Sequence, residues 1–232
     1  MSRRPRQIAM EFRTWGGARK NAGRKRKGGR ACVPHRGRPA HQSRYPVHVT
    51  LRIKRKLGNM RTKARLKIVR RAFVAGCVRQ GFRITDWSML GDHLHLIVEA
   101  KDAGRLSAGV KGFSVRVAKA INRLLGRKGG VFADRYHQHV LKTPREVRNA
   151  LCYVLNNARR HGFCVAKNTP DVFCSGAFFE GWRQSPRVGV GRKLEEARDG
   201  PPPVAAPRTW LRSTGWRKYR LIGLDECPAR RP

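Results

Sequence analysis

Val47, Val49, Leu51 and Ile53 alternate with His48, Thr50 and Arg52 in "PVHVTLRI" (46 to 53), the period-two pattern of a strand buried on one face. From 64 to 80 the spacing turns helical, with Leu66, Val69, Phe73, Cys77 and Val78 on one side and Gly81 as the stop. "FRITDWSML" (82 to 90) and "HLHLIVEA" (93 to 100) read as two strands of a hairpin turned at Gly91 and Asp92. A second amphipathic helix runs from about 105 to 125 on a stripe of Leu106, Val110, Phe113, Val117, Ile121 and Leu124, closed by "GRKGG". A short strand around 136 to 142 leads to a helix over 144 to 160. Its start is marked by Thr143 as N-cap, Pro144 in the first turn and Glu146 completing a capping box.

The order β-α-β-β-α-β followed by a further helix predicts an α+β fold, the ferredoxin-like split βαβ arrangement on one four-stranded antiparallel sheet. The first and third strands are then central neighbours, which puts His48 beside His93 and His95. Residues 1 to 45 show neither period, and 46 to 162 form the folded domain. Residues 163 to 232 are a basic, aromatic extension with a linker at "GPPPVAAP" (200 to 207).

Charge narrows the partner class. Among 232 residues, 53 Lys and Arg stand against 14 Asp and Glu, a formal net charge of +39 that calls for a polyanion, and nucleic acid is the usual one. No apolar run reaches the roughly 18 residues of a spanning helix, and the basic N-terminus has no signal-peptide core, so a cytoplasmic protein without a membrane partner is expected. The six cysteines form no C-x-x-C pair and no framework, as expected of reduced thiols, several of them in the core.

His93 and His95 share a strand face with Ile97 and Glu99, while Leu94, Leu96 and Val98 face the other way. Two imidazoles at i and i+2 start about 7 Å apart and can converge on one divalent metal. His137 and His139 repeat the spacing, but Gln138 between them anchors nothing, so the first pair carries more weight. On the last helix Val147, Leu151, Val154, Leu155 and Ala158 form the buried face, and Tyr153 and Asn157, one turn apart, stand together on its flank. Glu99 and Glu146 are read as ordinary exposed glutamates, and no general base stands out.

"DHLHLIVEA", the Tyr153-to-Asn157 spacing in "ALCYVLNNARRHG" and the lead-in "VFADRYHQHVLKTPREVRNAL" together resemble the single-tyrosine HUH transposases, in their REP-associated tyrosine transposase branch, over roughly residues 46 to 162. Two departures stand out: Asp92 where relatives often carry Asn, and Ala158 after Asn157 where they often carry Pro. The resemblance implies Tyr153 as nucleophile, and His93 and His95, joined by Asn157, as ligands of Mg2+ or Mn2+. It implies cleavage and rejoining of single-stranded or hairpin DNA through a 5′-phosphotyrosine link, by a monomer or a homodimer. Two roles fit His48: a group supporting the metal histidines, or a strand histidine satisfied by its neighbours.

The tails are expected to add binding. Arg19, Lys20, Arg24, Lys25, Arg26 and Lys27 lie in the Gly-rich block "GGARKNAGRKRKGGR" of a disordered arm, suited to phosphates and not to base edges. Trp210 and Trp216, set among Arg and Lys, suit either stacking on single-stranded DNA or capping the core. Deleting residues 1 to 45 is expected to weaken DNA binding and to lower the slope of log K against log salt by about one unit for each phosphate no longer neutralised. An unchanged slope in an anisotropy salt titration would mean that the arm does not touch the backbone.

Overall fold

In chain order the elements are β1 (Val47–Arg52), α1 (Lys63–Val74), β2 (Val78–Arg79), β3 (Phe82–Met89), β4 (His93–Ala100), α2 (Ala103–Leu124), β5 (His137–Val140), α3 (Pro144–Arg160) and the short α4 (Trp210–Ser213). The computed structural model describes residues 40–186 and 200–227, which belong to one unit beginning at Val33. The basic block from Arg19 to Lys27 lies outside the described residues.

The strands form one antiparallel sheet in the order β2-β3-β4-β1-β5. Setting β2 aside, this is the expected ferredoxin-like order, with β1 and β4 as central neighbours. The fifth strand arises because α1 stops at Val74, short of the expected residue 80. Gly76 lies so close to α2 that a Cβ there would come within 3.0 Å of Arg116 and 3.1 Å of the Ala72 carbonyl. The chain turns away, and Val78 and Arg79 pair with Arg83 and Phe82 across a tight turn at Gly81, whose φ of 73° favours glycine. Gly81 therefore makes a hairpin and does not cap the helix.

One sheet face packs on α1 and α2. Val47, Val49, Leu51, Leu94, Leu96 and Val98 meet Val69, Phe73, Val110, Phe113 and Val117 there. β3 reaches this core on both sides of a bulge between Ile84 and Asp86 that shifts its register, with Phe82 and Ile84 before it and Trp87 and Met89 after it. Both Ile84 and Trp87 then point to the helices, and Trp87 stacks on Phe73 with ring centroids 4.4 Å apart. The residue displaced to the opposite face is Asp86.

That opposite face is closed as well. α3 lies on it through Val147, Leu151, Val154 and Leu155 against Ile97, and the C-terminal segment wraps the rest, with Trp182, Leu211, Trp216 and Ile222 in the same cluster. Residues 163–186 and 200–227 thus complete the body formed by 46–162. Asp86 receives Arg212 through Nε at 2.7 Å and Nη2 at 2.6 Å. Glu99, expected to be exposed, is buried, and its carboxylate accepts the backbone N–H groups of Arg208 (2.8 Å) and Thr209 (3.0 Å). Asn156 donates to the carbonyls of Gly223 and Glu226, each at 2.9 Å, on the other flank of α3.

Cys77, Cys152 and Cys174 are buried free thiols, and burial followed by the Glu226 charge pushes the Cys152 thiol up to about 12. Among the described residues no helix is long and apolar enough to cross a membrane.

Arg148 on α3 holds Glu226 through a bidentate ion pair. Burial acts to raise the Glu226 carboxyl, but the Arg148 hydrogen bond, the Gly223 N–H and the Arg148 charge outweigh it and hold the group below its ordinary value. A lowered folded-state value makes this contribution full above the unfolded value of about 4.3 and lost as pH falls through the folded one. Glu226→Gln is expected to cost about 1 kcal/mol at pH 7. In urea titrations that difference from the native protein should fade in acid.

Candidate active site

The register between β1 and β4 sets Thr50 opposite His95 and Arg52 opposite His93, so the imidazole face of β4 continues onto β1. His95 is 4% exposed. Its Nδ1 lies 3.1 Å from His48 Nε2 and 3.1 Å from Thr50 Oγ1. Burial first, then the neighbouring imidazoles His48, His93 and His161, hold its pKa well below the ordinary histidine value. The ring is therefore neutral at pH 7. In the tautomer with the proton on Nδ1 it donates to Thr50 and presents a bare Nε2 lone pair.

His93 Nδ1 donates to Asp92 Oδ1 at 2.6 Å. Burial acts to raise the Asp92 carboxyl, but His93, by hydrogen bond and charge, and Arg52 and Arg55 prevail and lower it. Asp92 is thus more than a turn residue, because a carboxylate on Nδ1 orients the ring and enriches Nε2 as a ligand. The two imidazoles meet edge to face, centroids 4.6 Å apart.

α3 brings the remaining groups. The Tyr153 ring packs edge to face on His95 at 5.1 Å and on His48 at 5.7 Å. The Arg160 guanidinium lies 5.4 Å from the Tyr153 ring, and the His161 ring 5.9 Å from that of His93. Asn157 is wholly buried, and neither its Oδ1 nor its Nδ2 has a hydrogen-bond partner. His95 Nε2 and Ser88 Oγ are buried and unpartnered too, and Ser88 stands opposite His95 across β3 and β4.

Buried polar atoms nearly always find partners, so the unmet groups gathered on His95, Asn157 and Ser88 make this face a candidate site. A divalent cation fits them: His93 and His95 each engage Nδ1 and leave Nε2, and Asn157 has an amide oxygen with nothing to accept. Among the described residues no three His, Cys, Asp or Glu side chains could hold a metal by themselves. The donor set is two imidazoles and an amide, which Mg2+ or Mn2+ would complete with phosphate oxygens or water.

Of the expected groups, Tyr153, His93, His95 and His48 come together, and Asn157 lies on the same helix one turn from Tyr153. His48 is engaged with His95. Trp216 requires a correction: it is fully buried, packed against Phe179 at 5.6 Å, and cannot offer a face to a base. Glu146 is engaged in the capping box. His137 and His139 pair with Thr50 and His48, which sets them on the same sheet face as the site but at its exposed edge. Sequence reasoning gives Asp92 only a turn and passes over Arg160 and His161. Tyr153, Asn157, Arg160 and His161 stand at i, i+4, i+7 and i+8, a helical period that could have revealed the last two.

No protein-family model and no curated protein sequence matches the chain. Among solved structures it is similar to the REP-associated tyrosine transposase bound to a REP hairpin, with 18% identity, a TM-score of 0.45, and coverage of 57% of this chain and 76% of that one. At that level of likeness the chemistry of the site has to be read from its own residues.

An unsatisfied buried amide costs about 1–3 kcal/mol, which an apolar side chain of similar size recovers. Asn157→Leu is therefore expected to keep or raise metal-free stability and to show none of the stabilisation by Mn2+ expected of the native protein. A thermal melt with and without Mn2+ checks both halves. Asn157→Leu melting well below the native protein would show that the amide is structurally satisfied.

Proposed function

We propose that this protein is a transposase-type DNA strand transferase that cleaves and rejoins single-stranded hairpin DNA through a 5′-phosphotyrosine link on Tyr153. The observation that carries this reading is the pairing of a half-buried tyrosine with unpartnered ligand atoms on His95 and Asn157. A protein that only binds DNA has no use for buried, unmet ligand atoms beside a tyrosine.

His93, His95 and Asn157 would hold Mg2+ or Mn2+, which supplies charge withdrawal from the scissile phosphate. Tyr153 Oη attacks the phosphorus and the bond from phosphorus to O3′ breaks. The phenolic proton passes to solvent, and the departing O3′ takes one up. A free phenol is a poor nucleophile at pH 7, so the step would rely on charge withdrawal at the phosphate. His48 and Thr50 fix the His95 ring, and Asp92 fixes His93. The phosphotyrosine retains the energy of the broken phosphodiester, so a DNA 3′-OH can reverse the step and join strands without ATP.

The second reading is a nucleic-acid-binding protein that no longer cuts, favoured by the +39 net charge alone. Tyr153→Phe keeps the ring packing on His48 and His95, so folding and DNA affinity are expected to stay near native while cleavage disappears. Native protein with Mn2+ and a labelled hairpin should give a denaturant-resistant adduct that maps to residues 144–160. An adduct at Tyr136 would reassign the nucleophile, and tight binding with no adduct on any hairpin would favour the second reading. His93→Ala should abolish adduct formation, and His137→Ala should do much less.

A further inference from the structure

The C-terminal segment divides its aromatic residues sharply. Trp216 is fully buried and Trp182 nearly so, whereas Trp210 is 55% exposed and Tyr219 46%. Trp210 is nonetheless not a loose side chain. It opens α4, whose backbone is tied down on both sides: Glu99 accepts the N–H groups of Arg208 and Thr209, and Arg212 is locked to Asp86. The indole lies against Gly215, where a Cβ would come within 2.6 Å of the ring, so only glycine allows this seat. Lys218 Nζ stands 5.5 Å from the ring centroid.

The charge around it is of one sign. Residues 200 to 224 contain Arg208, Arg212, Arg217, Lys218 and Arg220 and no acid. All but Arg212 are exposed. The next carboxylates along the chain are committed, Asp225 to Arg159 and Glu226 to Arg148. A rigid, exposed indole flanked by unopposed cations is the combination that holds a single strand, rings taking the bases and cations following the phosphates. Glu99, which anchors this segment, shares the sheet face of His95 four residues away, roughly 13 Å along β4.

We infer that Trp210 is a stacking platform for an unpaired nucleobase, with Lys218, Arg217 and Arg220 holding the adjoining phosphates, on the same sheet face as the tyrosine site. The ring reads no sequence, because every base has a π-face, and it serves to hold the strand next to the region where it would be cut. This rests on the nucleic-acid part of the reading above and not on cleavage.

The test uses the full chain in a Tyr153→Phe background without added metal, so that no covalent step contributes. Binding is followed by anisotropy of a fluorescein-labelled oligo-dT of about 20 nucleotides and an abasic strand of equal length. Trp210→Ala should weaken oligo-dT binding about tenfold and leave the abasic strand within about twofold, since stacking is removed and the phosphates are still held. Trp210→Leu covers Gly215 without a π-face and should behave like the alanine variant, while Trp210→Phe should retain most of the affinity. Lys218→Gln should weaken both strands alike.

Unchanged oligo-dT affinity in Trp210→Leu, or an equal loss on both strands, would overturn the proposal. So would binding to phosphatidylserine vesicles that depends on Trp210 while oligo-dT binding does not, which would assign the ring to a lipid surface. Persistence of the Trp210 effect in a protein that forms no adduct with any hairpin would separate this inference from the fate of the cleavage reading.

Discussion

The seat of α3 on the imidazole face of the sheet is the constraint on which the site depends. Ile97 on β4 and Val147, Leu151, Val154 and Leu155 on α3 draw the two surfaces together. Each large apolar side chain fully buried contributes about 1.5–3 kcal/mol. The same closure takes His95, Ser88 and Asn157 out of water without giving all their atoms partners, at about 1–3 kcal/mol each. The apolar contacts can offset that penalty. The result is a neutral His95 with a bare nitrogen beside a tyrosine, a state that solvent would not maintain.

The scarcity of acids shapes the molecule as much as the excess of cations. Asp86 holds Arg212, Asp171 holds Arg61, Glu226 holds Arg148, Asp225 holds Arg159 and Asp92 holds His93. Each of these carboxylates is paired with a basic side chain of the protein itself. On the outer surface Lys and Arg predominate over exposed acids such as Asp102 and Glu180, so the polyanion that the composition calls for has few rivals on the protein itself.

Much of this is legible in the residues. The alternation in "PVHVTLRI" and "HLHLIVEA" and the capping box before α3 are local signals, and local signals survive folding when they agree with one another. They put His93, His95 and Tyr153 on elements that do meet. The fate of Glu99 and Trp216 is not legible, because each is decided by a partner elsewhere in the chain: Glu99 by the amides of Arg208 and Thr209, Trp216 by Phe179 and Gly181. The bulge that sends Trp87 and Asp86 to opposite faces does leave a mark, the change of apolar parity from Phe82 and Ile84 to Trp87 and Met89, although a regular strand is expected there. β2 escapes the pattern because the close approach of Gly76 to α2, which ends α1 early, is a tertiary contact.

The Asp86–Arg212 clamp spans 126 residues, and the Glu99 clamps span 109 and 110. During synthesis the sheet and both of its core helices are therefore made long before the segment that covers the opposite face. Contacts so distant in sequence carry a large loop-closure cost and form slowly. A nascent chain that has just completed α3 leaves Asp86 without Arg212, and Glu99 without the amides of Arg208 and Thr209, under a half-covered sheet. It becomes sealed only when residues 208 to 226 arrive, so the tyrosine side of the molecule matures last, and the exposed cations of that segment arrive together with the cover.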